Sequence, residues 1–194
     1  PQSVLEVGCG DGYFLGGLPT SIPVRVGVDL SSKAIAFAKA FHPDCIFYNQ
    51  DISALVDTFD IIVAIEVIEH IPEEALPGFF HALYERVNNN GKIVISVPTT
   101  VIPLNKKHYR HYTIELFKRQ LKQSGVDLVI LQKEYIFSKP WWLNIFKRFF
   151  DNRLFSLEIK PLMHIAWKQV CNKYRIAKKQ TGFHLVIVLE KVNK

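Results

Sequence analysis

Ser3-Val4-Leu5-Glu6-Val7-Gly8-Cys9-Gly10-Asp11-Gly12-Tyr13-Phe14 decides how the rest of the chain is read. Val4, Leu5 and Val7 form a short aliphatic run suited to a buried strand, and three glycines at alternate positions end it. Glycine lets the backbone turn sharply and leaves N–H groups open to a ligand at the start of the helix expected from about Tyr13. A nucleotide-like cofactor at the edge of an α/β sheet follows from this much. A dinucleotide fingerprint needs its third glycine at position 13, where this chain has Tyr13. The third glycine is Gly12 instead, and the acidic Glu6 lies just before the turn.

Working outward, Val24 to Leu30 reads as a second strand, and Ser31 as the cap of a helix reaching about Phe41. Asp29 ends that strand 21 residues after Gly8. A carboxylate there is placed to take both hydroxyls of a ribose, or alternatively to help cap the next helix. Cys45 to Tyr48 reads as a third strand leading to Asp51 and Ile52. Asp60 to Ile65 is the near-continuous apolar run of a central parallel strand, delivering Glu66-Val67-Ile68-Glu69-His70-Ile71 to the carboxyl edge where ligands bind. A helix is expected from about Glu73 to Val87, a stop at Asn88-Asn89-Asn90-Gly91, and a fifth strand at Lys92–Pro98. A polar, aromatic loop from Thr99 to Tyr112 leads into a helix from Thr113, a sixth strand over 127–132 and a final strand over 183–190.

Acid-x-Gly-x-Gly-x-Gly, Asp29, E-V-I-E-H-I and N-G-K-I-V-I-S-V-P stand in order at successive strand ends, and together they resemble the class I S-adenosylmethionine-dependent methyltransferases over residues 3 to about 130 plus the final strand. H-x-R-H-Y-T at 108–113 resembles the small-molecule subset of that family, whose acceptors include sugars, polyols, lipids and quinone precursors. The resemblance implies an α/β fold: a doubly wound, seven-stranded, mostly parallel sheet with a helical insertion before a last strand lying antiparallel at the sheet edge. It implies S-adenosylmethionine as cofactor, with S-adenosylhomocysteine as product. The cofactor-binding positions it implies are Glu6, Gly8, Cys9, Gly10, Gly12, Asp29, Leu30, Asp51, Ile52 and Glu66, with Asp51 accepting from the adenine amino group and Ile52 packing on the ring. An Asx turn is the other reading of Asp51.

Methyl transfer to a hydroxyl needs a base, and histidine titrates near working pH. His70, His108 and His111 fall near the mouth of the expected site and are the catalytic candidates; alternatively His70 orients the Glu69 loop and the other two hydrogen-bond substrate or backbone. Glu66, Glu69, His70 and His108 also resemble the two-Glu, two-His magnesium set of RNA 2′-O-methyltransferases, although the rest of that pattern is missing. The main expectation is therefore O-methylation of a small sugar, lipid-linked or quinone-like molecule. Magnesium-dependent RNA 2′-O-methylation and a non-catalytic binding module are the alternatives. The absence of an N/D-P-P-Y/F motif at 66–69 argues against methylation of an adenine or glutamine amino group.

The 194 residues suit one domain, 1–194, with a full core. Three scattered cysteines with no C-x-x-C fit a reducing cytoplasm, and no apolar run reaches the ~18 residues of a spanning helix. Because the chain opens almost on its first strand, further N-terminal chain is expected. The net charge of +6 is uneven: residues 139–180 carry ten Lys/Arg against Asp151 and Glu158, together with all three tryptophans. Within this insertion (about 136–181), Trp142, Ile145 or Phe146, and Phe149 recur at helical spacing, and Pro161 suits the first turn of a second helix. Its expected role is a substrate lid, or else peripheral contact with anionic membrane. Nucleic acid is disfavoured, because the aromatic residues run in stripes and are not set singly for base stacking.

Overall fold

The computed structural model describes residues 1–142 and 160–192. Five parallel strands come first: β1 (Ser3–Val7), β2 (Val24–Val28), β3 (Ile46–Tyr48), β4 (Phe59–Ile65) and β5 (Val87–Pro98). β6 (Leu128–Ile136), β7 (Ile176–Ala177) and β8 (His184–Lys191) complete a sheet of order β3-β2-β1-β4-β5-β8-β6-β7. Alternation along the strands sorts the two faces. Val4 and Val63 pack under α1 (Tyr13–Gly16) and α2 (Ser32–Phe41) with Leu15, Ile35 and Ala38. Leu5, Val7, Ile62 and Ala64 pack under α3 (Leu76–Arg86) and α4 (Ile114–Ser124) with Phe80, Leu83 and Phe117. The result is the doubly wound, mostly parallel α/β sheet expected from the sequence.

The sheet departs from expectation in three places. It has eight strands, since two residues of the insertion, Ile176 and Ala177, add β7 beside Tyr135 and Ile136. The last strand is antiparallel as expected but not at the edge: β8 lies between β5 and β6, so Leu185, Ile187 and Leu189 are fully buried. Asn88–Gly91 does not form a separating turn. The helix ends at Arg86, and these residues head β5 through a bulge between the Phe59–Val87 and Ile61–Lys92 pairs, with Asn90 at φ 63°.

Capping follows the sequence: Ser31 Oγ accepts from Ala34 N–H at 3.2 Å, and Thr113 Oγ1 from Leu116 N–H at 3.2 Å. The helix expected at 73–87 divides into a 3-10 turn, Glu73–Ala75, and α3. In the insertion, α5 (Lys160–Lys173) carries Pro161 in its first turn as expected. The first insertion helix, read from Ile145, Phe146 and Phe149, lies outside the described residues. No helix among the described residues is long and apolar enough to cross a membrane.

Candidate active site

At the carboxyl edge of β1, Gly8, Gly10 and Gly12 have φ of 69°, 54° and 78°, the left-handed region that side chains avoid. Their surroundings differ. A Cβ on Gly12 would come within 2.6 Å of Phe47, so this glycine serves packing of the loop on the core. A Cβ on Gly10 would meet nothing within 4 Å, so the open backbone there is the one that lets a ligand approach. The Gly10 N–H donates to Asp29 Oδ2 at 2.9 Å and the Ser31 N–H to Asp29 Oδ1 at 2.7 Å. Both donors orient the carboxylate, and its remaining lone pairs are left for a ligand's hydroxyls.

Beside this loop lies a cavity of about 740 Å³ that gathers Gly8, Asp29, Leu30, Asp51, Ile52, Glu66 and His70. Apolar walls at Leu30 and Ile52 alternate with the Asp29 and Asp51 carboxylates, the donor-seeking and ring-packing pattern a nucleoside requires. Asp51 lines the cavity and forms the Asx turn that is its other reading, its Oδ1 accepting from Ser53 N–H at 2.9 Å. Glu6 and Cys9 are buried behind the loop. Burial pushes the Glu6 carboxyl up to about 8 and the Cys9 thiol up to about 12, and one Glu6 oxygen has no partner.

The second half of the site is built by the turn after β4. Glu66 is held at φ 54°, and its Oε1 accepts from Ser96 Oγ at 2.7 Å and from His184 Nδ1 at 3.1 Å. Burial raises the Glu66 pKa, but the two donors outweigh it and hold the carboxyl below its usual range. Three residues on, Glu69 is wholly buried, neither of its carboxylate oxygens has a hydrogen-bond partner, and burial lifts it to about 7.

The 99–112 loop brings the other histidines to this turn. A backbone carbonyl only accepts, so the 3.1 Å contact from His111 Nδ1 to Ile102 O puts the His111 proton on Nδ1. His111 Nε2 is then the acceptor of its contact with His108 at 2.9 Å, and His108 Nδ1 donates to it. His108 is left with a lone pair on Nε2. The same reasoning puts a proton on His70 Nδ1, which lies 3.0 Å from Lys107 O, while its Nε2 lies 3.9 Å from Glu69 Oε1. The His70 and His108 rings meet edge-on with centroids 4.6 Å apart. Burial, with His70 and His111 alongside, lowers the His108 pKa.

Comparison with known proteins settles the class of fold that carries this site. The family model described as a methyltransferase domain matches residues 1–131. The chain belongs to this methyltransferase family. It is 22% identical to the ubiquinone biosynthesis O-methyltransferase of Pseudomonas putida, over 91% of this chain and 73% of that protein. Among solved structures, a SAM-dependent methyltransferase from Archaeoglobus fulgidus superposes with a TM-score of 0.65 at 18% identity, covering 97% of this chain and 86% of that one. Magnesium protoporphyrin IX methyltransferase from Synechocystis, with bound SAM, gives 0.60 at 14% identity over 97% and 69%.

Three residues of this methyltransferase site escaped the sequence reading. His184 reaches Glu66 across 118 residues of chain, and its polar character at the start of an apolar strand was the one available signal. Arg110 and Tyr112 stand inside H-x-R-H-Y-T but are not histidines. Arg110 Nη1 donates to Ile68 O at 3.2 Å and to Ile71 O at 2.7 Å, its Nε pairs with Glu73 at 3.3 Å, and Tyr112 is fully buried beside it. Arg110 thereby ties the loop carrying His108 and His111 to the turn carrying Glu69 and His70.

Proposed function

We propose that this chain transfers a methyl group from S-adenosylmethionine to the hydroxyl of a small-molecule acceptor, of the quinone-like, sugar or lipid-linked kind, with His108 as general base. One observation carries the reading: the Ile102 carbonyl and His111 together leave a lone pair on His108 Nε2, in a ring whose centroid lies 4.6 Å from that of His70 at the cavity. The cofactor supplies an electrophilic methyl on a sulfonium, so the protein's part is orientation and proton removal. Gly10 and Asp29 hold the ribose end, Asp51 and Ile52 the base, and Glu66 the opposite end of the cavity. His108 Nε2 takes the hydroxyl proton as the acceptor oxygen attacks, and the Nδ1 bond to His111 keeps the imidazolium oriented. The similarity to a ubiquinone-pathway O-methyltransferase supports a hydroxyl acceptor. Calorimetric titration with S-adenosylhomocysteine, with NAD as control, tests the cofactor. Binding of the former alone is expected, and Asp29→Ala should weaken it roughly 30-fold through lost ribose contacts; unchanged affinity removes Asp29 from the role.

A second reading rests on the orphaned Glu69 carboxyl. Single ligand atoms of Glu69, His70 and His108 lie within 4.8 Å of one another, and with Nδ1 of each histidine donating to a neighbour, Nε2 of the neutral rings and the unpartnered Glu69 carboxylate can act as ligands. Such a set fits a divalent ion, held by these three residues, that polarises the acceptor hydroxyl. Titration with magnesium and manganese in the absence of substrate separates the readings. Micromolar binding abolished by Glu69→Gln assigns the ion, and no heat with either metal leaves His108 as the base.

A further inference from the structure

Acidic residues are absent from two long stretches of this chain, 86–114 and 159–189, and the structure brings both to one edge of the sheet. Pro98, at the end of β5, pairs with His184 at the start of β8, and the Thr99 N–H donates to Phe183 O at 2.8 Å. The Phe137 and Ser138 N–H groups donate to Arg175 O and Tyr174 O, so the segment just beyond α5 is fastened to the same edge, where the site loop 99–112 leaves the sheet.

This edge is cationic and apolar together. Residues 159–189 carry six Lys/Arg and no carboxylate; Lys179 is paired with Glu115 at 2.6 Å, and the site loop adds Lys106 and Lys107. On the insertion, Trp141, Ile165, Trp167 and Ile176 are 77%, 64%, 61% and 60% exposed. Leu104 and Tyr109 on the site loop are exposed as well. Scattered exposed apolar residues need no explanation, but tryptophan and isoleucine set among lysines at the mouth of a site do. Tryptophan settles at the headgroup level of a bilayer, and lysine reaches the phosphates while its stem stays with the chains.

We propose that this face, formed by α5, the Trp141 segment and the tip of the 99–112 loop, docks on an anionic phospholipid bilayer. Charge decides the occupant. A second copy would present the same cationic face across a two-fold axis, so like charges would oppose each other in the contact. A nucleic acid would satisfy the lysines but leave Ile165 and Ile176 without an apolar partner. An anionic bilayer satisfies both, with basic side chains on the headgroups and apolar ones at the acyl boundary. Docked so, the site loop opens toward the lipid, and an acceptor dissolved in the bilayer reaches His108 without crossing water. The docking itself does not depend on the identity of the acceptor.

Co-sedimentation tests the assignment, with vesicles of phosphatidylcholine alone and of phosphatidylcholine mixed with equal phosphatidylglycerol. The full chain should sediment with the mixed vesicles only, and high salt should release it. Lys168→Gln with Lys173→Gln should lower the partition roughly 25-fold, since each removes one cation from the anionic surface. Trp167→Ala, which leaves the charge unchanged, should also lower it at low salt. Unchanged S-adenosylhomocysteine affinity in these variants shows that they are folded and keeps this test separate from that of the methyl-transfer reading. The proposal is overturned by equal binding to neutral vesicles, by no binding to either, or by variants that sediment like the wild type. A dimer in light scattering that Trp167→Ala dissociates, or displacement from vesicles by single-stranded RNA, overturns it in favour of those partners.

Discussion

Replacing His108 with alanine is expected to lower kcat about 10²- to 10⁴-fold, the usual contribution of a positioned base, with little change in S-adenosylhomocysteine affinity. The residue acts through Nε2, whose lone pair depends on His111 and on the Ile102 carbonyl. His111→Ala should therefore reduce kcat by a smaller factor, about tenfold, because His108 keeps its base but loses the partner that selects its tautomer. The two losses should not add in the double variant, since both remove one function. The pH profile gives an independent check. Burial and the neighbouring histidines lower the His108 pKa, so the free base persists to more acidic pH than in an ordinary imidazole. The acidic limb of kcat/KM should accordingly fall below about pH 6.5, and it should vanish in His108→Ala. A limb above that value, or one that survives the substitution, transfers the base role elsewhere.

Arg110→Ala should cost the most in stability. The guanidinium is largely covered and satisfies two backbone carbonyls of the Glu69–His70 turn as well as Glu73. Truncation takes the donor from the Ile71 carbonyl, while Ile68 O keeps the Ile71 N–H at 3.3 Å, at a cost of about 2 kcal/mol, which for a chain of this size lowers Tm by about 4–8 °C. Turnover should fall further than stability alone explains, because the bond network sets where the 99–112 loop meets His70. Arg110→Lys should not restore either property, since one ammonium cannot serve at once the carbonyls that Nη1 reaches and the Glu73 carboxylate that Nε reaches. Thermal melts followed by turnover measured well below Tm separate the two effects. A Lys variant with wild-type Tm and kcat would reduce Arg110 to a bystander.

Features legible in the sequence share one property: their physical causes are local. Three glycines at alternate positions after an aliphatic run require left-handed backbone, and all three adopt it. Asp29 and Asp51 follow strands whose ends topology places at one edge, and both reach the cavity. Ser31 and Thr113 cap helices through their own hydroxyls. Local reading failed where a strand's neighbours lie far away in the chain. The apolar alternation of the last strand says that it is buried, but not that it enters between β5 and β6 and so carries His184 to Glu66. Likewise Asn88–Gly91 has the composition of a turn, but pairing with β4 draws it into a strand.

Sequence alone therefore determined the class of fold and the strand edge where the glycine turn, Asp29, Asp51 and His70 gather, because each follows from backbone conformation or from residues a few positions apart. Only the tertiary structure decided which histidine offers a lone pair, which carboxylate is clamped and which is orphaned. Those properties belong to hydrogen bonds between distant segments. Ile102 O and His111 fix the proton of His108, while Ser96 and His184 satisfy Glu66 and leave Glu69 buried without a donor. A tautomer or a perturbed carboxyl is set by the partner that folding supplies, and the residue's own place in the chain does not encode it.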